Sequence, residues 1–217
     1  MGVTANNIAN ASTAGYKPDQ STFADLVYTT VNGAPGPNNL VVGQGEKLNK
    51  TDTVFTQGAV QETGRAQDYA LLDRNTFFAV QSANGAVRYT RDGSFQLSEQ
   101  PNGNFYLATA AGDLVLDANG QPIAVTDDQA QQNVGVYTFS NLDGLVKNGE
   151  NTYLATNRSG AATVVQGAKV QQKALEGSAV DMAGELSELI TTNRAFSFNA
   201  KVVQMADSIM QTVNSLR

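Results

Sequence analysis

Residues 178–217 read SAVDMAGELSELITTNRAFSFNAKVVQMADSIMQTVNSLR, and the architecture of the chain turns on them. The stretch holds no proline and no glycine after Gly184, so no residue in it forces a helix to stop. Gly177 precedes it as a breaker, and Ser178 with Asp181 three residues on has capping-box spacing. Asp181, Glu185 and Glu188 come early, while Arg194, Lys201 and Arg217 come late. That order complements the helix dipole. Met182, Leu189, Phe196, Val203 and Met210 recur every seven residues, and Leu186, Ala200, Ala206, Ile209, Val213 and Leu216 widen the stripe. The pattern predicts one helix of roughly 55 Å at 1.5 Å per residue. Its apolar seam has a coiled-coil period, interrupted at Asn193, Asp207 and Asn214.

An amphipathic helix ordinarily packs on its own domain. Here the length opposes that. A globule of about 135 residues has a radius of about 14 Å, so a helix of this extent overhangs it. Burying each of Phe196, Val203, Ile209, Met210 and Val213 is worth about 1.5–3 kcal/mol. Leaving them all wet forgoes on the order of 10 kcal/mol, the size of a whole domain's stability. The sequence therefore predicts a helical partner, supplied by the other end of the chain or by identical chains.

Between the ends the texture changes. Asn84-Gly85, Asp92-Gly93, Asn102-Gly103, Asn119-Gly120, Asp143-Gly144 and Asn148-Gly149 punctuate short runs such as TFFAVQ, AVRYT, NFYLAT and VGVYTF. Asn-Gly and Asp-Gly accept the backbone angles of tight hairpin turns, so these runs read as strands of an antiparallel meander or small barrel. Phe77, Phe78, Tyr89 and Phe95 fit its core better than an exposed binding platform. Arg65, Arg74, Arg88 and Arg91 are expected to form a polar rim between subunits. The predicted fold is mainly β with terminal α-helices, the β domain being inserted between helical segments that form a coiled-coil-like module. The boundaries are 1–30 for an N-terminal helix end and turn, 31–176 for the β-rich domain and 177–217 for the long helix. Pro35 and Pro37 place a loop at residues 31–39, after a short amphipathic piece at residues 23–28.

Composition narrows the function. The 217 residues are 41% hydrophobic and 16% charged, as a folded protein should be. A net charge of −6 argues against a nucleic-acid surface. Without Cys or His there is no disulfide, no thiolate nucleophile, no Ser-His-Asp triad and no imidazole metal ligand. Carboxylate chemistry stays open in principle. Asp113, Asp117 and Asp127-Asp128 lack calcium-loop spacing and read as solvated turn residues. No catalytic, cofactor or metal site is expected, nor a small-molecule substrate. No apolar run approaches the roughly 20 residues of a membrane span, and no signal peptide opens the chain. The start at Met1, inside what reads as a helix end, suggests that a segment precedes it.

That helix end is ANNIANASTAGYK, residues 5–17. Asparagine is a poor helix former, yet Asn6, Asn7 and Asn10 sit at helical spacing and share one face. The stretch resembles the N-terminal signature of bacterial flagellar axial proteins, in which an Asn-Asn-hydrophobic-Ala-Asn helix end runs into a Ser-Thr-x-Gly-aromatic-Lys turn. Asn6, Asn7, Ile8, Ala9, Asn10, Ser12, Thr13, Gly15, Tyr16 and Lys17 match, and Ala14 stands where proline is frequent. Residues 55–80 and 89–97 are similar to the family's central segment and hairpin, with Thr76-Phe77-Phe78 in place of Gly-Phe-Phe. Residues 175–216 are similar to its C-terminal helix.

The resemblance is to the flagellar basal-body rod and hook family, nearest the rod proteins and the related Gram-positive hook-basal body protein. It implies a structural subunit that assembles into a hollow, torque-transmitting helical filament. It further implies copies of itself and other axial proteins as partners, export through the flagellar apparatus, a basal-body location, and an N-terminal helix largely missing here. The expected assembly residues are Asn6, Asn7, Ile8, Asn10, Gly15, Tyr16, Met182, Leu186, Leu189, Phe196, Val203, Met210 and Val213. The asparagines would either end the helix or bond neighbouring subunits. A hook subunit is one alternative, an extracellular β-domain adhesion module on a helical stalk another, and a carboxylate hydrolase a third.

Overall fold

A computed structural model describes residues 1–27, 29–31, 40–101, 103–127 and 129–216, with backbone alone at 29–31 and 40–42. Tyr28, residues 32–39 of the expected loop, Asn102, Asp128 and Arg217 lie outside the described residues. The chain opens on a short helix, α1 (Gly2–Ala9). It closes on a long one, α2 (Met182–Ser215), of 34 residues and about 51 Å. The ladders between them are all antiparallel among the described residues.

Residues 19–25, which run into the expected amphipathic piece at 23–28, form a strand. Asp19–Asp25 pairs with Glu46–Thr53 as a two-stranded arm, with a bulge between Thr22 and Phe23. Beyond the arm, Thr76–Gln81 is the central strand. Its residues alternate between two faces, and each face has its own core. Phe78 and Val80 join Tyr69, Leu71, Phe95 and Val115, while Phe77 and Ala79 join Tyr89, Tyr137, Phe139 and Tyr153. A strand covered on both faces reads as an unbroken apolar run, as TFFAV does. Phe77, Phe78, Tyr89 and Phe95 are all core residues.

The sheet does not close into a barrel. One edge of Thr76–Gln81 pairs with Val87–Thr90, and the other serves two short strands, Leu114–Val115 near one end and Val136–Thr138 near the other. The sheet forks there, and its terminal strands, Gln96–Glu99 and Val146–Lys147, do not pair with each other. The barrel expectation is corrected accordingly, while the antiparallel meander stands. Asp92-Gly93 also departs from its hairpin reading. A Cβ on Gly93 would overlap the carbonyl oxygen of Tyr69, so that glycine is there for a close backbone approach.

The chain returns to the first core before leaving it. Val170–Gln172 pairs with Tyr69–Leu71, and Ala174–Glu176 pairs with Val60–Glu62. This return brings residue 176 beside residue 17, where both helices meet the β body.

Candidate functional site

Asn7 sits at the centre of the junction, 1% exposed. Its Nδ2 donates to the Asp19 carbonyl and to Glu185 Oε1 on α2, both at 2.8 Å. Its Oδ1 accepts from the Asp19 amide at 3.0 Å and from the Tyr16 hydroxyl at 3.2 Å. One amide on α1 thereby satisfies groups on the following turn, the arm and α2. Asn6 and Asn10 lie further out: Asn6 donates to Tyr16 Oη at 3.3 Å, and Asn10 Nδ2 donates back to the Asn6 carbonyl at 2.9 Å. Ile8 is half-buried. Burial, and then the charges of Asp19 and Glu185, push the Tyr16 phenol up from its ordinary pKa.

The turn after α1 depends on Gly15. Its φ is +65°, and a Cβ there would strike the Arg91 carbonyl. Its amide donates to the Glu176 carbonyl at 2.7 Å, and the Ala179 amide returns a bond to the Tyr16 carbonyl at 3.1 Å. Lys147 closes the outside of the turn: its ammonium bonds the Lys17 carbonyl at 2.9 Å and Asp19 Oδ1 at 2.8 Å, and lies 4.8 Å above the Tyr16 ring.

Beneath the turn lies a buried charge triad. Lys17 Nζ is 2.6 Å from Glu176 Oε1, and Arg91 Nε is 2.8 Å from Glu176 Oε2. Lys17 also donates to the Thr56 carbonyl at 2.5 Å, and Arg91 Nη1 donates to the Thr76 carbonyl at 2.9 Å. The Gly58 amide donates to Glu176 Oε1 at 2.8 Å. Two cations share one anion. Burial holds the Lys17 amine below its ordinary pKa, against the opposing hydrogen bond and charge of Glu176, and Arg91 adds to the lowering.

The triad removes Arg91 from the expected arginine rim. Arg91 is a core residue, Arg88 is half-buried between Asp113 and Glu150, and Arg65 pairs with Asp68. Arg65, Arg88 and Arg91 each answer to a local carboxylate or carbonyl, whereas Arg74 is exposed. A cleft of about 640 Å³ lies between α1 and the body, and Asp92, Asp113 and Glu150 line it. Arg88 Nη1 lies 3.6 Å from Asp113 and 3.7 Å from Glu150, and Asp92 Oδ1 accepts from the Ser94 amide and hydroxyl. Arg88 thus stands between two of the cleft acids, and Asp92 bonds within its own turn. Among the described residues no cluster of acidic side chains is suited to holding a metal, and no helix is long and apolar enough to cross a membrane.

The expected residues of α2 are placed quite differently. Glu185, Leu189 and Thr192 are half-buried, and every described residue from 193 to 216 is exposed. Phe196 is 69% exposed and Met210 67%. Met182, Leu186, Val203 and Val213 are likewise exposed. The fold brings Asn7, Gly15, Tyr16 and the first turns of α2 into one junction. It leaves Phe196, Val203, Met210 and Val213 beyond the body's reach.

Sequence reading did not single out Glu176, Glu185 or Lys147. The available signal was weak: a lone acid before the helix, and a helical Glu taken only as a dipole partner.

Three family models match the chain. One described as "Flagella basal body rod protein" matches residues 1–17, and "Flagellar hook protein FlgE/F/G D1 domain" matches 72–140. "Flagellar basal body rod FlgEFG protein C-terminal" matches 171–216. The first and last meet at the junction just described. Full-length similarity agrees. The flagellar basal-body rod protein FlgG of Bacillus subtilis is 31% identical, across 100% of this chain and 93% of that protein. FlgG of Agrobacterium fabrum is 32% identical, across 98% and 91%, and FlgG of Buchnera aphidicola subsp. Baizongia pistaciae is 34% identical, across 100% and 93%. The chain belongs to the flagellar basal-body rod and hook protein family.

Proposed function

We propose that this chain is a structural subunit of the flagellar basal-body rod, building an axial filament beyond the cytoplasmic membrane. It works as two modules, a β body and a helical module centred on α2. Copies of the chain and other axial proteins are its partners, and the flagellar export apparatus delivers it. No chemical step enters this reading. The carrying observation is α2 itself, whose residues 193–216 expose an apolar surface that the β body does not reach. Apolar area left in water at about 25 cal/mol per Å² drives association. Contacts between different faces of successive copies do not close, so they yield an open helix.

Sedimentation velocity of the full chain across a concentration series tests this. The reading expects species growing with concentration, and Phe196→Asp with Val203→Asp should hold the chain monomeric. A wild-type chain that stays monomeric at every concentration, with α2 fully helical, contradicts it.

A further inference from the structure

The hairpin of Val146–Lys147 and Thr152–Leu154 clamps the turn after α1 from outside. Lys147 Nζ bonds the Lys17 carbonyl and Asp19, and Asn151 Nδ2 donates to the Ala14 carbonyl at 2.8 Å. The tip between them is tight. The Asn148 amide donates to the Thr152 carbonyl at 2.9 Å, and the Thr152 amide donates to the Gly149 carbonyl at 2.8 Å. Glu150 and Asn151 have φ of +49° and +55°, as the central residues of a type I′ turn require.

An asparagine followed by glycine is chemically labile, because glycine leaves the next amide nitrogen unhindered. That nitrogen, once deprotonated, attacks the asparagine Cγ. An N–Cγ bond forms, the Cγ–Nδ2 bond breaks and ammonia leaves, giving a cyclic imide. Water opens the imide at either carbonyl, to aspartate or to isoaspartate. In a folded chain the rate depends on how firmly the nitrogen and the carboxamide are held. Three Asn-Gly pairs are described at both residues, and all three are exposed. At the first, the Gly85 amide donates to the Ser82 carbonyl at 2.8 Å and Asn84 Oδ1 accepts from the Ala86 amide at 2.9 Å. At the second, the Gly120 amide donates to the Asp117 carbonyl at 3.1 Å and Asn119 Nδ2 donates to Asp117 Oδ2 at 3.2 Å. At the third, neither the Gly149 amide nor the Asn148 carboxamide has a partner among the described residues. We propose that Asn148 is a site of spontaneous deamidation, favoured by the fold over Asn84 and Asn119, and that isoaspartate there releases the clamp on the turn after α1. Isoaspartate routes the main chain through the former side chain, adding a methylene between the residue 148 Cα and the Gly149 nitrogen. The two bonds that close the tip straddle that point and lose their register. Lys147 and Asn151, on either side of the tip, lose their common support, and the new carboxylate competes with Asp19 for the Lys147 ammonium. The chemistry needs no second copy of the chain.

The full chain, aged in warm, mildly alkaline buffer, tests this. Peptide mapping by mass spectrometry follows conversion at each site, and fragmentation separates isoaspartate from aspartate. Asn148 should convert at least about threefold faster than Asn84 or Asn119, the factor set by releasing an ordinary hydrogen bond. In concentrated urea the three rates should converge, since glycine follows each. Equal rates in the folded chain, or the same ratio in urea, overturn the selection by the fold. Hydrogen exchange reads the clamp: the aged chain should exchange faster in α1 and residues 10–17 than the fresh chain. Aged Asn148→Gln, whose longer side chain closes its ring far more slowly, should not. Unchanged exchange in a fully converted chain, or equal loosening in aged Asn148→Gln, overturns the release.

Discussion

Glu176→Gln is the most telling single substitution in the β body. Glutamine keeps the side chain's shape and can still accept from the Gly58 amide, but it removes the anion between Lys17 and Arg91. Both cations are then left together without a countercharge, and Lys17 and Glu176 side chains are 0% exposed. Removing one partner of a buried pair costs about 3–5 kcal/mol, against a total stability of about 5–15 kcal/mol. Lys17→Met is the informative comparison, because Arg91 and Glu176 remain as a neutral pair. Its main loss is the hydrogen bond to the Thr56 carbonyl, about 1–3 kcal/mol if that oxygen stays unsatisfied. Urea unfolding followed by circular dichroism should therefore rank Glu176→Gln as the more damaging change. Hydrogen exchange should locate the early loss at the Gly15 and Gly58 amides. Equal costs, or a cost below about 1 kcal/mol for Glu176→Gln, would refute the argument that the excess positive charge governs the triad.

Two further outcomes follow from the junction. Asn7→Leu strands the Asp19 amide, the Tyr16 hydroxyl and the Glu185 carboxylate, at about 1–3 kcal/mol for each group left unsatisfied. It should raise amide exchange in α1 and the first turns of α2 while the central strand Thr76–Gln81 stays protected; unchanged exchange in α1 would show that the amide hub does not hold the helix. Alkaline unfolding is the second. Burial raises the pKa of Tyr16, Tyr69, Tyr89, Tyr137 and Tyr153. Above the ordinary tyrosine pKa of about 10 the folded state thus binds more protons than the unfolded one, and stability falls with rising pH, by at most about 1.4 kcal/mol per pH unit for any one tyrosine. Lys17 opposes this weakly, since its lowered pKa lets the folded state shed that proton first. The tyrosinate absorbance of these five should appear together with loss of structure, and ionisation of all seven tyrosines near pH 10 with the fold intact would contradict it.

The sequence made the β body and the long helix visible because both are written locally. Turn dipeptides and short apolar runs mark the strands, and an unbroken seven-residue repeat marks α2. The start of α2 was misplaced for a tertiary reason. Ser178 was expected to open the helix, yet Asp181 is the cap, accepting from the Ala183 amide at 3.2 Å. Ala179 is meanwhile bonded to the Tyr16 carbonyl, which holds the preceding residues extended. The triad was illegible because its members stand 159 and 85 residues apart, and a charge has no periodicity to announce burial. The asparagine face was read as a unit, but only Asn7 is buried. Which amide turns inward depends on where the arm and α2 arrive. Barrel closure failed for a similar reason, since the fork at Thr76–Gln81 lies in pairings distant along the chain.

Hydrogen exchange of residues 193–216 as a function of protein concentration tests the central claim most directly. In dilute solution these amides have only a solitary helix to protect them, and an isolated helix is marginal in water. They should exchange quickly there and become protected as copies associate, with the β body unchanged. Strong protection in dilute monomer, or none at any concentration, would mean that the distal helix does not depend on other copies for its cover.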